Sequence, residues 1–342
     1  MKKRMIILLA AVLALFGVQR STDAAEPKLA QTGFQFLSIP TEARASAMGD
    51  AFTAVAGGSM SIFYNPANLA RGNALLDFSL SQNQWIADIN HFSGSLSFNP
   101  ANGKYGTFGF SLLSVDYGEF LFTRVNPNSE RGYDNLDYKN MPTAYAVGVA
   151  YSKALTDQFS FGIHAKYTAQ DLGVSEIPDP QNEGSAIEKD YNIGVMAFDF
   201  GTVYNTGYKS LTFAMSVRNF SQEVKYETEG FQLPLNFHIG VAMDMMDIFD
   251  PESKLHSFLL AVEATHPRDQ PEQLRIGGEY LFLDVLALRA GYNSNLDERD
   301  ISLGFGLKKD FGRRGGKIAL DYAYTPFGVF DNVQRFSFSL AL

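Results

Sequence analysis

The chain has 342 residues, of which 46% are hydrophobic, 13% aromatic and 19% charged, with a formal net charge of −9 and no cysteine. Scarce charge together with 29 Phe and 16 Tyr favours strands over helices. The acidic balance argues against a nucleic-acid partner, and the lack of cysteine excludes disulfides and a lipid-modified N-terminal cysteine.

Residues 1–24 read as an export signal. Lys2, Lys3 and Arg4 precede the apolar run Met5–Val18, and small residues follow up to a cleavage point after Ala24. The run is shorter than a bilayer-spanning helix requires. Its removal takes away four cations and one anion, which moves the net charge from −9 to −12. No later stretch is long and apolar enough for a transmembrane helix. An exported chain of this kind is either soluble or crosses a membrane as a barrel.

Residues 25–72 form the second unit. Its main part, Thr41–Gly72, is rich in Ala, Gly and Ser and holds four charged residues, Glu42, Arg44, Asp50 and Arg71. Thr41 reads as the N-cap of a helix over Glu42–Met48, with Gly49 as a left-handed C-cap. Asn65-Pro66 reads as an N-cap followed by proline at the first helical position. A segment so poor in polar bulk is built to pack, and the expectation is a hatch inside a barrel, entering from the periplasmic mouth. Glu42, Arg44, Gly49, Asp50, Asn65 and Pro66 are its candidate key residues, with the charged ones contacting the barrel wall.

Residues 73–342 alternate with period two. Leu76, Phe78 and Leu80 oppose Asp77, Ser79 and Ser81; Phe159, Phe161 and Ile163 oppose Ser160, Gly162 and His164; the series closes on Phe336, Phe338 and Leu340. About 14 such segments make the expected fold all-β, a transmembrane antiparallel barrel of about 14 strands with an N-terminal hatch. Connections alternate between long, such as Phe120–Asn140 and Gly173–Lys189, and short, such as Leu283-Asp284. Long loops belong outside the cell and short turns in the periplasm. The polar face is Ser, Gly, Ala and Thr, unlike the Lys/Glu mix of a soluble surface. Tyr117, Tyr151, Tyr167, Tyr292 and Tyr324 fall near strand ends, as an aromatic girdle facing outer-membrane lipids would.

The inward face carries few charges: Asp77, His164, Lys166, Arg218, His238, Glu263, Arg275, Glu279, Arg289, Lys308, Asp321 and Arg335. Seven of them (Asp77, Glu263, Arg275, Glu279, Arg289, Asp321 and Arg335) are candidates to grip the hatch or line a pathway, and closure is expected to bring Asp77 beside Arg335. The alternative is that they pair with each other across a wet lumen. The five histidines lack metal-ligand spacing, and no catalytic or phosphate-binding motif is present, so no metal, cofactor or enzyme activity is expected. Trp85, Phe122, Arg131, Tyr133 and Ile177 in the long loops are candidates for protein contacts, being of the types that anchor interfaces.

The residues Ala43–Ala54 (ARASAMGDAFTA) and Ile62–Ala70 (IFYNPANLA) resemble the N-terminal signature of the PorV/PorQ family, a branch of the FadL-like outer-membrane barrels. Trp85 with Asp88 resembles that family's first loop. The resemblance implies a non-enzymatic outer-membrane component of type IX protein secretion, whose partners are a translocon and the C-terminal signal domains of cargo. FadL-like relatives imply the alternative, a channel for hydrophobic small molecules through the wall or past the hatch.

Overall fold

The computed structural model describes residues 32–118, 122–136, 141–178, 181, 186–253, 255–295, 300–312, 315–330 and 332–342. The expected export signal, residues 1–24, and residues 25–31 lie outside them. Fourteen strands close into one antiparallel barrel, each bonded to its neighbours in chain order, and the last pairs with the first. They are β1 (Leu76–Gln84), β2 (Asn90–Phe98), β3 (Thr107–Asp116), β4 (Thr143–Ala154), β5 (Phe159–Pro178), β6 (Ala186–Asn205), β7 (Thr212–Ser221), β8 (Asn236–Asp244), β9 (His256–Pro267), β10 (Gln273–Phe282), β11 (Leu286–Asn293), β12 (Ile301–Phe311), β13 (Gly316–Thr325) and β14 (Val333–Ala341).

The alternation read from the sequence becomes the two faces of this wall. Leu80, Phe92, Phe110, Leu288, Phe305 and Leu320 stand exposed on the outside, while Ser79, Ser93, Ser95, Ser111 and Ser302 are buried inside. An apolar belt around a closed ring is the surface a bilayer solvates. Tyr167 and Tyr292 are exposed on this belt, but Tyr117 packs inward against an apolar cluster containing Phe34 and Phe36.

β5 and β6 have 20 residues each and rise past their neighbours as a ribbon, because β4 stops pairing at Thr143↔Asp171. Long loops on the same rim hold two small hairpins, Phe122–Val125 with Tyr133–Leu136 and Val224–Lys225 with Gly230–Phe231. The β6–β7 register shifts between Phe198 and Phe200. There β7 carries the extra residue, and Asn219 takes φ +63. This bulge points both Arg218 and Asn219 into the lumen.

Residues 32–72 fill the lumen. Their backbone bonds to side chains of β1, β2, β4, β5, β7, β9, β12 and β14, a ring of partners reachable only from inside. The segment contains one short helix, α1 (Ala43–Ala47), and 3-10 turns at Gln35–Ser38, Gly58–Phe63 and Pro66–Arg71. The N-cap of α1 is Glu42, not Thr41, and its side chain does not cap the helix; the N–H groups of Thr41 and Glu42 both donate to the Tyr64 hydroxyl.

The direction of the segment differs from expectation. Thr32 bridges Gln232 and bonds Asp269, so its first described residue sits at the long-loop rim. The chain then descends and leaves at the short-turn rim, where Asn99 Nδ2 donates to the Gly72 carbonyl at 2.7 Å.

Candidate functional site: the filled lumen

The wall receives the segment at glycines. A Cβ on Gly291 would lie 2.0 Å from the Gly49 nitrogen, one on Gly277 2.3 Å from the Met48 carbonyl oxygen, and one on Gly304 2.5 Å from the Ala47 Cβ. These three strands form one seat for the end of α1, where Gly49 turns back with φ +62. A second seat takes Asn65–Ala67: a Cβ on Gly201 would meet Asn65 Oδ1 at 1.9 Å, and one on Gly162 the Ala67 nitrogen at 2.4 Å. Backbone lies on backbone at both places, and only glycine in the wall permits it.

Serines supply the bonds between the seats. Ala43 N–H donates to Ser337 Oγ at 2.8 Å and Gly49 N–H to Ser302 Oγ at 3.1 Å. Ser93 Oγ donates to the Thr41 carbonyl at 2.8 Å, Ser216 Oγ to that of Tyr64 at 3.0 Å, and Ser152 Oγ to that of Ala67 at 3.1 Å. Each such bond contributes about 1 kcal/mol net. Apolar packing adds to them: Met48, Phe52, Val55 and Tyr64 are buried against Val203, Ala214, Ala242 and Ala261. Phe52 meets Tyr64 edge-on, with ring centroids 5.2 Å apart.

Of the predicted hatch residues, Arg44 reaches a charged wall partner. It holds Glu279 through two bonds of 2.8 Å and gives a third, also 2.8 Å, to the Ala56 carbonyl. Arg289 joins Glu279 at 2.6 Å and Asp321 at 2.6 Å, which extends a chain of alternating charge over β10, β11 and β13. Among the described residues Glu42 and Asp50 make no ion pair. Glu42 is buried with Oε2 unbonded, and burial raises its carboxyl to about 8. The Arg44 guanidinium is held above its ordinary value because the Glu279 carboxylate outweighs the burial that opposes it. Asn65 caps its turn as expected: Oδ1 accepts from Ala67 N–H at 3.0 Å ahead of Pro66, and Nδ2 donates to the Thr53 carbonyl at 3.0 Å.

The remaining lumen charges divide. Asp77 accepts from Ser59 N–H at 3.0 Å. It does not meet Arg335, because β14 runs antiparallel to β1 and its end lies at the start of β1: Asp77 pairs with Ala341, and Arg335 with Asn83. Arg335 instead lies under Trp85, 5.5 Å from the ring, and bonds Thr325. Glu263 and Arg275 are register partners, yet Glu263 bonds His238 at 2.7 Å and Thr53 N–H at 2.8 Å while Arg275 turns to Gln273. Arg218 donates to His238 Nε2, so the ring proton sits on Nδ1, facing Glu263.

One group was missed from sequence. Ser111, His164 and Asp199 come together from β3, β5 and β6, with Ser111 Oγ 2.8 Å from His164 Nε2 and His164 Nδ1 2.8 Å from Asp199 Oδ2. The connectivity is that of an acyl-transfer triad, but all three are buried and Lys166 also grips Asp199 through both oxygens. Here the group acts as a buried polar staple across three strands. Register could have revealed it, because Gly148 is the residue opposite both Ser111 and Lys166 and leaves room between them.

The candidate loop residues do not converge. Trp85 packs at the β1–β14 seam against Phe327. Tyr133 and Arg131 are exposed on the hairpin after β3, which also carries Phe122, and Ile177 pairs with Ile187 in the tall ribbon. Residues 119–121 and 137–140 of the same loop lie outside the described residues.

Cavities beside residues 37–40 are small, whereas one of about 890 Å³ lies at the short-turn mouth below the segment, lined by Leu69, Leu75, Asp77, Ser97 and Thr107. One of about 40 Å³ is lined by Leu37, Tyr64, Lys166, Arg218 and Arg275, and an adjoining one of about 30 Å³ by Leu37, Ser38 and Gln273. Among the described residues no cluster has the makeup of a metal site.

Compared with known proteins, residues 22–265 match a family model described as type IX secretion system protein PorV. The toluene transporter TbuX of Ralstonia pickettii is similar in structure, with TM-score 0.57 and 12% identity over 88% of this chain and 98% of that one. The Pseudomonas putida toluene transporter TodX gives 0.55 and 12% over 87% and 96%. A Pseudomonas aeruginosa FadL homologue gives 0.52 and 11% over 88% and 98%. At such identities the likeness is one of fold, a FadL-like barrel. No curated protein sequence matches.

Proposed function

The chain belongs to the PorV family of type IX secretion system proteins, and from that premise we propose that it is a non-enzymatic outer-membrane component of secretion that binds protein partners at its long-loop rim. The observation that carries this reading is the closed lumen. Residues 32–72 bond to wall strands around the ring, the cavity of about 890 Å³ at the short-turn mouth ends against them, and the cavities of about 40 and 30 Å³ beyond are too small to pass an apolar solute. A barrel sealed in this way works through its surfaces, and its long loops supply them: the hairpin carrying Phe122, Arg131 and Tyr133, and the ribbon carrying Ile177. The segment is then a hatch that stays shut, and the exported chain resides in the outer membrane.

The fold of toluene transporters supports a second reading, a channel for hydrophobic molecules. Passage through the wall needs a break in it, yet all fourteen strands pair into a closed ring, whose ladder shifts register at Asp171/Val174 and Phe198/Phe200 without opening. The secretion reading is the better supported. A strain lacking this protein should retain type IX cargo inside the outer membrane; normal cargo export from that strain would reject the reading.

A further inference from the structure

The two small cavities share Leu37, Ser38, Arg218, Asn219 and Arg275. The first lies deep, beside Tyr64 and His164; the second reaches Pro267, Asp269 and Gln270 at the long-loop rim. Buried cations in proteins are ordinarily matched by carboxylates. Neither guanidinium here forms an ion pair with a carboxylate among the described residues, although Glu263 stands close enough to act on both. Arg218 gives its bonds to His238 and to the Phe63 carbonyl, and Arg275 bonds the Gln273 side chain. Arg275 is 8% exposed and its Nε has no hydrogen-bond partner.

The other charges nearby form no ion pair with either arginine among the described residues. Lys166 is taken by Asp199 and Asn219. Glu263 is taken by His238 and Thr53, and Asp269 by Thr32 and Gln35. Asp50 faces the deep cavity but forms no ion pair with either arginine.

We propose that these adjoining cavities are a binding site for a small monovalent anion of carboxylate or halide size, held between Arg218 and Arg275 and reached from the long-loop rim. A guanidinium offers a planar fork of N–H donors that suits such a group. Volume agrees, since a single water needs about 10–15 Å³ and the deep cavity has about 40 Å³. Leu37 and Ser38 line both cavities, so a bound anion fastens this stretch to the wall.

The test uses the full-length barrel in detergent. Its unfolding midpoint is measured in sodium gluconate, an anion too large for the cavities, and then with gluconate replaced stepwise by chloride or acetate at constant ionic strength. A saturable rise with either anion is expected. Arg275→Gln should abolish the rise, and Arg275→Lys, which keeps charge but loses the fork, should weaken binding on the order of tenfold. No saturable rise, or an equal rise in Arg275→Gln, overturns the proposal. Should Arg275→Gln fail to fold, bromide in wild-type crystals decides. Anomalous density between the two guanidiniums supports the site; none there refutes it.

Discussion

Arg44 and Glu279 form a two-bond guanidinium–carboxylate pair across the boundary between the lumenal segment and the wall, and the same carboxylate is shared with Arg289. Both partners are largely buried, with side-chain exposures of 15% and 5%. Removing Arg44 leaves Glu279 paired with Arg289 but takes away the segment's charged anchor, a loss of about 1.5–3 kcal/mol. Arg44→Ala should therefore loosen the segment, and planar-bilayer recordings should show open events absent from wild type. Glu42→Ala and Asp50→Ala, which break no ion pair, should leave recordings silent.

The glycine seats predict a second effect. Gly291→Val places a side chain where the Gly49 backbone now lies. Overpacking of this kind costs about 1–3 kcal/mol, and two backbones have little room to give. The barrel should still form, because the strand ladder is untouched. Protease cleavage within residues 32–72 should become fast in the variant and stay slow in wild type.

Glu42 gives the segment a pH dependence. Burial raises its carboxyl from 4.5 to about 8, so between these values the packed state holds a proton that the released state has lost. Stability contributed here is fully present below pH 4.5 and falls as pH rises towards 8, by about 1.4 kcal/mol per unit. Hydrogen exchange at Ala43–Gly49, corrected for intrinsic rates, should speed up across that window. Glu42→Gln should remove the dependence; an unchanged slope in that variant would show that another group is responsible.

The closed lumen predicts transport behaviour as well. Vesicles containing the barrel should take up toluene no faster than empty vesicles. Uptake at several times the empty rate would favour the channel reading.

The barrel was legible because strand alternation has a period of two and loop length alternates between rims. Both are local signals, and they gave 14 strands and the polar inner face. The hatch cap at Asn65-Pro66 was legible for the same reason. Pairings across the lumen were not. Asp77 and Arg335 are both inward, but register places Arg335 opposite Asn83, and no local pattern states register. Charge drew attention to Glu42 and Asp50, whereas the seat is made by Gly277, Gly291, Gly304 and by Ser93, Ser302 and Ser337. Small residues carry no chemistry in a sequence until the backbone they receive is known. The Arg218–Asn219 bulge was hidden likewise, since an extra residue in a strand resembles a slip in alternation.

The central claim is that this sealed barrel acts by binding proteins at its long-loop rim. Co-purification from native outer membranes tests it most directly, comparing wild type with a form in which Asn126–Gly132, the turn of the hairpin after β3, is replaced by a two-residue turn. We expect wild type to bring down other type IX components in fixed ratio, and the shortened form to lose them while keeping the fold. Identical partners in both forms, or none with wild type, would contradict the claim.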